Sequence, residues 1–170
     1  MEPMRTHGEF RIRVKKDYTV FSSAHFITFA GHRCEALHGH NYRVGVTLEG
    51  ALDEQSWYVL DFSAVKQMMK HLCDEIDHKV LLPLENPKIG VTPRDGVIHV
   101  DYEGKPRYLF PAGDCALLPI PNTTVEMLAQ HLTRRLLASL SEIQISHLTA
   151  IEMEVEENFG QSAFYRELLG

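Results

Sequence analysis

Disulfide chemistry has little to build on in this chain. Its three cysteines, Cys34, Cys73 and Cys115, stand at unrelated spacings and make no framework. A reduced, cytoplasmic setting fits that scarcity. Long apolar runs are missing as well: no stretch approaches the roughly 20 residues that span a bilayer, so no membrane partner is expected. The opening segment Met1–His7 carries no apolar run, and no secretory signal is read in it. Nor is there an excess of basic charge. The formal net charge is −6 and Lys and Arg form no stripe, which argues against a nucleic-acid partner. Internal repeats, low-complexity tracts and linkers are also absent. The 170 residues, 44% hydrophobic and 24% charged, are therefore read as one domain, 1–170, long enough to bury a core.

What the chain does have is histidine in a narrow window. Phe21-Ser22-Ser23-Ala24-His25-Phe26 is followed by Gly31-His32-Arg33-Cys34-Glu35-Ala36-Leu37-His38-Gly39-His40-Asn41-Tyr42. His38 and His40 are two residues apart, so on a strand their rings leave the same face. His25 arriving from a neighbouring strand would complete three nitrogens with an open fourth position, the pattern of a catalytic zinc.

Periodicity places this window. Phe10, Ile12 and Val14 alternate with Arg11, Arg13 and Lys15 in a strand running toward Phe21, and Tyr42, Val44, Val46 and Leu48 form a second strand ending at Gly50. Phe62, Val65, Met68, Met69, Leu72, Cys73 and Ile76 recur at helical intervals. A second helix starts near Thr123, carrying Val125, Leu128, Ala129, Leu132, Leu136 and Leu140, with Thr123 and Glu126 at capping-box spacing. Ile151, Met153 and Val155 make a third strand whose apolar parity extends to Glu157. Ala163 and Tyr165 follow the turn Asn158–Gln161 in a fourth. An insert from about 83 to 121 separates the helices, with Val97–Tyr102 and Arg107–Phe110 as an extra hairpin. The expectation is an α+β fold: a four-stranded antiparallel sheet in β-β-α-α-β-β order, both helices on one face, the other face covered by another subunit.

Several residues admit two readings. Cys34, four residues before His38, is either a fourth zinc ligand in an inert structural site or a thiolate acting as base or nucleophile. Cys73 belongs to the core. Asp77-His78 closes the first helix, either as a favourable helix terminus or as a carboxylate–imidazole pair for proton transfer. Glu157 needs a partner if buried, either Arg or Lys or a ligand offering paired N–H groups. For Thr123 and Thr124 the simpler reading is a capping role alone.

Taken in order, Phe-Ser-x-x-His-Phe, Gly-His-Arg-Cys-x-x-Leu-His-Gly-His-Asn-Tyr, Asp61-Phe62, Asp77-His78, Thr124-x-Glu126-x-Leu128-Ala129 and Glu157 before Tyr165 resemble the 6-pyruvoyltetrahydropterin and 6-carboxytetrahydropterin synthase family. The resemblance spans most of the chain except the insert. It implies a T-fold (tunnelling-fold) subunit, a homo-oligomer that is typically a hexamer of two trimers, and active sites at subunit interfaces. It further implies zinc held by His25, His38 and His40, Cys34 as catalytic thiol, and Asp77 and His78 as the acid–base pair. Glu157 would be the pterin anchor, and Thr123, Thr124 and Glu126 part of the pterin pocket. The implied substrate is 7,8-dihydroneopterin triphosphate, with no external redox cofactor. The close spacing of Cys34 to His38 resembles the bacterial carboxy-forming branch, which releases acetaldehyde and leaves 6-carboxy-5,6,7,8-tetrahydropterin for 7-deazaguanine and queuosine synthesis. The alternatives are the pyruvoyl-forming activity and a non-catalytic zinc- or pterin-binding T-fold protein. Two departures stand out: the insert is longer than the family's usual connection and is expected to pack across a subunit boundary, and Thr123 stands where many bacterial relatives carry Pro.

Overall fold

A computed structural model describes residues 8–30, 33–143 and 145–170; the segment Met1–His7 and Gly31-His32 of the histidine motif lie outside them. In chain order the elements are β1 (Phe10–His25), β2 (Thr28–Phe29), β3 (Arg33–Cys34), β4 (His38–Gly50), α1 (Phe62–Ile76), β5 (Lys79–Pro83), β6 (Ile89–Arg94), β7 (Val97–Tyr102), β8 (Lys105–Pro111), β9 (Cys115–Leu118), α2 (Val125–Leu140), β10 (Leu148–Glu157) and β11 (Ser162–Leu168). The expected four strands are present as β1, β4, β10 and β11, and they pair antiparallel. The sheet is nevertheless six-stranded and mixed, in the order β11-β10-β4-β1-β5-β9, because β5 and β9 add parallel to the free edge of β1. Each of these two is a run of only four or five residues, too short for periodicity to distinguish from a loop.

Both helices pack on one core. Val65, Met69, Leu72, Cys73 and Ile76 of α1 and Leu128, Ala129, Leu132, Leu136 and Leu140 of α2 are buried with Tyr42, Val44, Val46 and Leu48 of β4 and Ile151, Met153 and Val155 of β10. The alternation seen in the sequence is thus the row of side chains beneath the helices. Asp61 caps α1, accepting the Ser63 N–H at 2.8 Å. The capping box expected at α2 does not form. Thr124, not Thr123, is the N-cap and makes no side-chain cap bond, and the Thr123 hydroxyl donates to the Phe26 carbonyl at 3.1 Å.

The opposite sheet face is charged. Glu154 accepts from Arg13 and from Lys15, Lys15 also reaches Glu156 at 3.5 Å, and Arg166 holds Glu49.

Register in β1 determines what reaches the helix-facing row. Between the pairs Lys15↔Gly45 and Val20↔Arg43, β1 advances five residues while β4 retreats two. The odd number of extra residues is a bulge that reverses the facing of all that follows. Val14 therefore lies in the core before it, and Thr19, Phe21, Ser23 and His25 are the buried set after it. Without the bulge the neighbours of His25 would take its place.

The insert is more than a hairpin. β6, β7 and β8 form a three-stranded antiparallel meander. Its turns Asp95-Gly96 and Glu103-Gly104 both have positive φ, as a two-residue type I′ connection requires. It closes a second core around Phe26, Leu82, Ile89, Ile98 and Val100.

Gly50, at the end of β4, has no room for a side chain: a Cβ would stand 2.4 Å from the His147 carbonyl oxygen and 2.9 Å from the Leu148 Cα. Both neighbours are backbone, so neither can rotate away. Gly50→Ala is expected to cost about 1–3 kcal/mol, as overpacking does, read as a lower urea midpoint at unchanged slope.

Candidate metal centre and adjoining cleft

The core row of β4 does not stop at Tyr42. Continued by two residues at a time it reaches His40 and then His38, on the same face. Across the ladder Phe21 pairs with Tyr42, Ser23 with His40 and His25 with His38. Phe21 and Tyr42 stack at 4.6 Å and mark where the apolar core ends. Beyond them the three imidazoles converge, with ring centroids 4.7 to 5.2 Å apart. Their ligand nitrogens lie within 4.8 Å of one another, the one such group among the described residues, and Cys34 is not part of it.

Backbone and side-chain acceptors orient each ring. His25 Nδ1 is 2.8 Å from the Thr123 carbonyl and His38 Nδ1 is 2.9 Å from the Ala36 carbonyl. A carbonyl can only accept, so Nδ1 is the donor in both rings and Nε2 is the nitrogen left to face a metal. His40 Nδ1 lies 3.0 Å from the Asn158 amide, which can present either its oxygen or its nitrogen. Such partners on the far nitrogen are the usual outer shell of metal-bound histidine. His25 Nε2 is shielded from solvent and has no hydrogen-bond partner among the described residues. It stands 3.3 Å from Glu157 Oε1, within ion-pair range but outside hydrogen-bond geometry. Burial holds the His25 pKa below its ordinary value, with His38 and His40 acting in the same sense and the Thr123 bond and Glu157 opposing. The neutral ring is the form that ligates a metal. A buried nitrogen without a partner, aimed among two others, fits a cation with soft-to-borderline nitrogen preference.

Glu157 ends the core row of β10, opposite Tyr42 in the ladder. Among the described residues no Arg or Lys meets its carboxylate. Tyr42 Oη donates to Oε1 at 3.1 Å, and His40 Nε2 is 3.4 Å from the same oxygen. Burial, reinforced by Glu157, pushes the Tyr42 phenol well above its ordinary range, so it remains a donor.

Asp77 and His78 dock on the exposed side of β1. Asp77 Oδ1 accepts the Ser22 N–H at 2.8 Å, the His78 N–H donates to the Ser22 carbonyl at 2.7 Å, and His78 Nδ1 is 2.9 Å from Asp77 Oδ2. Burial raises the Asp77 pKa, but the Ser22 N–H and His78 outweigh it and hold the carboxyl below the usual range. His78 adopts φ +56°, a left-handed conformation that a non-glycine residue takes at a cost. Its ring and that of His40 line a cleft of about 520 Å³ together with Ser22, Gly39, Lys79 and Asn158.

Cys34 is not among the lining residues of that cleft. It packs against the second core, and burial pushes its thiol pKa up, with Arg107 opposing and Glu35 reinforcing. Thr124 and Glu126 lie in the first turn of α2 beside Thr123. One chain therefore brings together His25, His38, His40, Glu157 and Thr123, and sets His78 beside His40, while Cys34 stands apart.

A two-helix, mixed-sheet fold with three convergent imidazoles at the end of its core defines a T-fold subunit with a candidate metal centre. Comparison with known proteins specifies the family. The model of the 6-pyruvoyl tetrahydropterin synthase family matches residues 13–168, and the chain belongs to that family. It is 39% identical over 149 residues, 88% of this chain and 90% of the relative, to a putative 6-carboxy-5,6,7,8-tetrahydropterin synthase of Methanocaldococcus jannaschii. It is 26% identical over 134 residues, 78% of this chain and 86% of the relative, to the 6-carboxy-5,6,7,8-tetrahydropterin synthase of Rickettsia bellii. The crystal structure of 6-pyruvoyl tetrahydropterin synthase from Plasmodium vivax superposes with a TM-score of 0.86 at 27% identity, covering 96% of this chain and all of that one.

Sequence reasoning missed the outer shell. The Thr123 and Ala36 acceptors are backbone carbonyls, which carry no residue signature. Asn158 and Tyr42 did have a signal, since Asn158 adjoins Glu157 and Tyr42 closes the quoted histidine motif. Among the described residues, no helix is long and apolar enough to cross a membrane.

Proposed function

We propose that the chain is the subunit of a zinc-dependent 6-carboxy-5,6,7,8-tetrahydropterin synthase, a lyase converting 7,8-dihydroneopterin triphosphate to 6-carboxytetrahydropterin, acetaldehyde and triphosphate. The observation that carries this reading is the unpartnered Nε2 of His25, directed among two further imidazoles in a chain whose relatives bear that name. His25, His38 and His40 would hold the zinc, which when bound would supply Lewis-acid chemistry at the mouth of the cluster.

The remaining roles belong to the chain's own residues. Cys34 moves a proton at the substrate side-chain carbon, and His78, oriented by Asp77, exchanges a proton on the opposite side. The Asp77 carboxyl, held by the Ser22 N–H through one oxygen, lies 2.9 Å from His78 Nδ1 through the other and so orients the ring. Glu157 offers its carboxylate to the paired N–H groups of the pterin, which fixes the ring and so the distance of the reacting carbons. Thr123 keeps His25 in its tautomer, and Thr124 and Glu126 complete the pterin pocket.

The separation of Cys34 from the cleft shared by His40 and His78 supports a site completed between chains, in a cytoplasmic homo-oligomer that on the family pattern is a hexamer of two trimers. The whole of 1–170 acts as one such domain. A second reading, the pyruvoyl-forming activity, is favoured by the likeness to the Plasmodium vivax structure.

With 7,8-dihydroneopterin triphosphate supplied, triphosphate is expected to appear, to stop after chelation and dialysis, and to resume with Zn2+. Release that persists at full rate in metal-free protein would remove zinc from the account.

A further inference from the structure

The segment Glu35–Leu37, between β3 and β4, belongs to no strand of the sheets, yet it directly follows Cys34, the last residue of β3, and leads into His38. From its own side it is tied by one backbone bond, the Glu35 N–H to the Ile27 carbonyl at 2.9 Å. Further ties come from the inserted meander. One Arg107 guanidinium nitrogen donates to the Glu35 carbonyl at 2.8 Å and reaches the Cys34 carbonyl at 3.5 Å. The Leu37 N–H donates to the Tyr108 hydroxyl at 3.2 Å.

These two holders are themselves held. The Arg107 guanidinium lies 5.2 Å over the Tyr108 ring, and the Tyr108 ring packs against Phe26 and Phe110 at 5.3 and 5.4 Å. A planar guanidinium laid on an aromatic face gives up little freedom when it binds a carbonyl. The side chains of Cys34 and Leu37 rest on the same second core. Ala36, in the middle of the segment, gives its carbonyl to His38 Nδ1. A displacement of the segment is thus felt at both the thiol and a metal-facing ring.

We propose that the three-stranded meander is a clamp on the thiol-bearing segment 33–37, with Arg107 and Tyr108 as positioning residues that set where Cys34 stands. This rests on the proposed function in one respect, that Cys34 is the reacting thiol. The clamp gives the insert a task within its own chain. Among the described residues, the charged and titratable groups that act on the thiol are Arg107, Glu35 and Tyr102, two of them from the meander.

The test uses full-length Tyr108→Phe, Arg107→Ala and Arg107→Lys proteins with zinc restored. Three quantities are read: zinc per chain, kcat and KM for the pterin triphosphate, and the rate of Cys34 alkylation by iodoacetamide at a pH where the thiol is fully ionised. Peptide mass spectrometry resolves Cys34 from Cys73, whose buried thiol serves as internal control for folding. For Tyr108→Phe and Arg107→Ala we expect unchanged zinc, kcat lower by about 10- to 100-fold with KM within about threefold, as misplacement of a reacting group gives. Cys34 alkylation should be at least about tenfold faster while Cys73 is unmoved, as local opening predicts. Arg107→Lys should recover part of both effects, since it keeps the charge and loses the planar fork. Unchanged alkylation in both Tyr108→Phe and Arg107→Ala would overturn the clamp. If the unaltered protein does not turn over the pterin, the functional reading falls, and the alkylation rates alone still decide the clamp. Tyr108→Phe removes one oxygen atom and keeps the ring in its core, so it answers the question even if Arg107→Ala fails to fold.

Discussion

His38→Ala is expected to leave the protein folded and without metal. The ring is only partly buried at the mouth of the cluster, so its loss opens no core cavity and stability should change by less than about 1 kcal/mol in the metal-free state. Metal affinity should respond very differently. Outer-shell partners of a metal-bound histidine are worth about 10- to 100-fold in affinity, and the ligand itself is worth more than its partner. Zinc per chain after dialysis, measured by inductively coupled plasma mass spectrometry, should fall from near one to below about a tenth, with turnover falling in parallel. His25→Ala should lose metal equally, but it also removes the shielded and unpartnered Nε2. The metal-free protein is therefore expected to tolerate that change better than its burial suggests, since an unsatisfied buried group is removed with the side chain. Full zinc content in either variant would contradict the three-nitrogen centre.

Cys34→Ala should give the reverse pattern: full zinc and lost turnover. The thiol lies outside the group of mutually close ligand atoms and outside the cleft, so it has no part in retaining the metal. General acid–base catalysis by one positioned side chain is worth about 10²- to 10⁴-fold, and kcat should fall within that range with little change in KM. Cys34→Ser is expected to retain part of the activity at most, because a hydroxyl is a far weaker acid than a thiol. Zinc lost together with turnover would instead make Cys34 a fourth ligand and the centre a structural one.

Much of this site was legible because it continues the periodicity of the core. The rows Leu48, Val46, Val44, Tyr42 and Ile151, Met153, Val155 run without a break into His40, His38 and Glu157, so the alternation that fixes the fold also aims the ligands. Two features resisted. The bulge in β1 that brings His25 to the same face lies among Lys15–Val20, where no glycine or proline marks it; its position is decided by pairing with β4. The role of Thr123 was obscured by a plausible competitor, since its spacing to Glu126 suits a capping box while its hydroxyl and carbonyl are engaged by Phe26 and His25.

The insert divides in the same way. Val97–Tyr102 and the strand after it were visible from their alternation and the intervening Gly104. The third strand, Ile89–Arg94, was signalled by Asp95-Gly96, a strong type I′ pair, but it holds Gly90 and Pro93, which weigh against a strand. Here tertiary packing overrides propensity. A Cβ at residue 90 would meet only the Asp101 carboxylate, the end of a side chain that can rotate away, so the glycine leaves room for that carboxylate.

The most direct test of the account is the stoichiometry of products from zinc-loaded protein and 7,8-dihydroneopterin triphosphate, with acetaldehyde and the reduced pterin quantified in the same reaction. The account predicts one acetaldehyde for each 6-carboxytetrahydropterin formed. Triphosphate released with a pyruvoyl pterin and no acetaldehyde would contradict it and assign the chain to the pyruvoyl-forming activity.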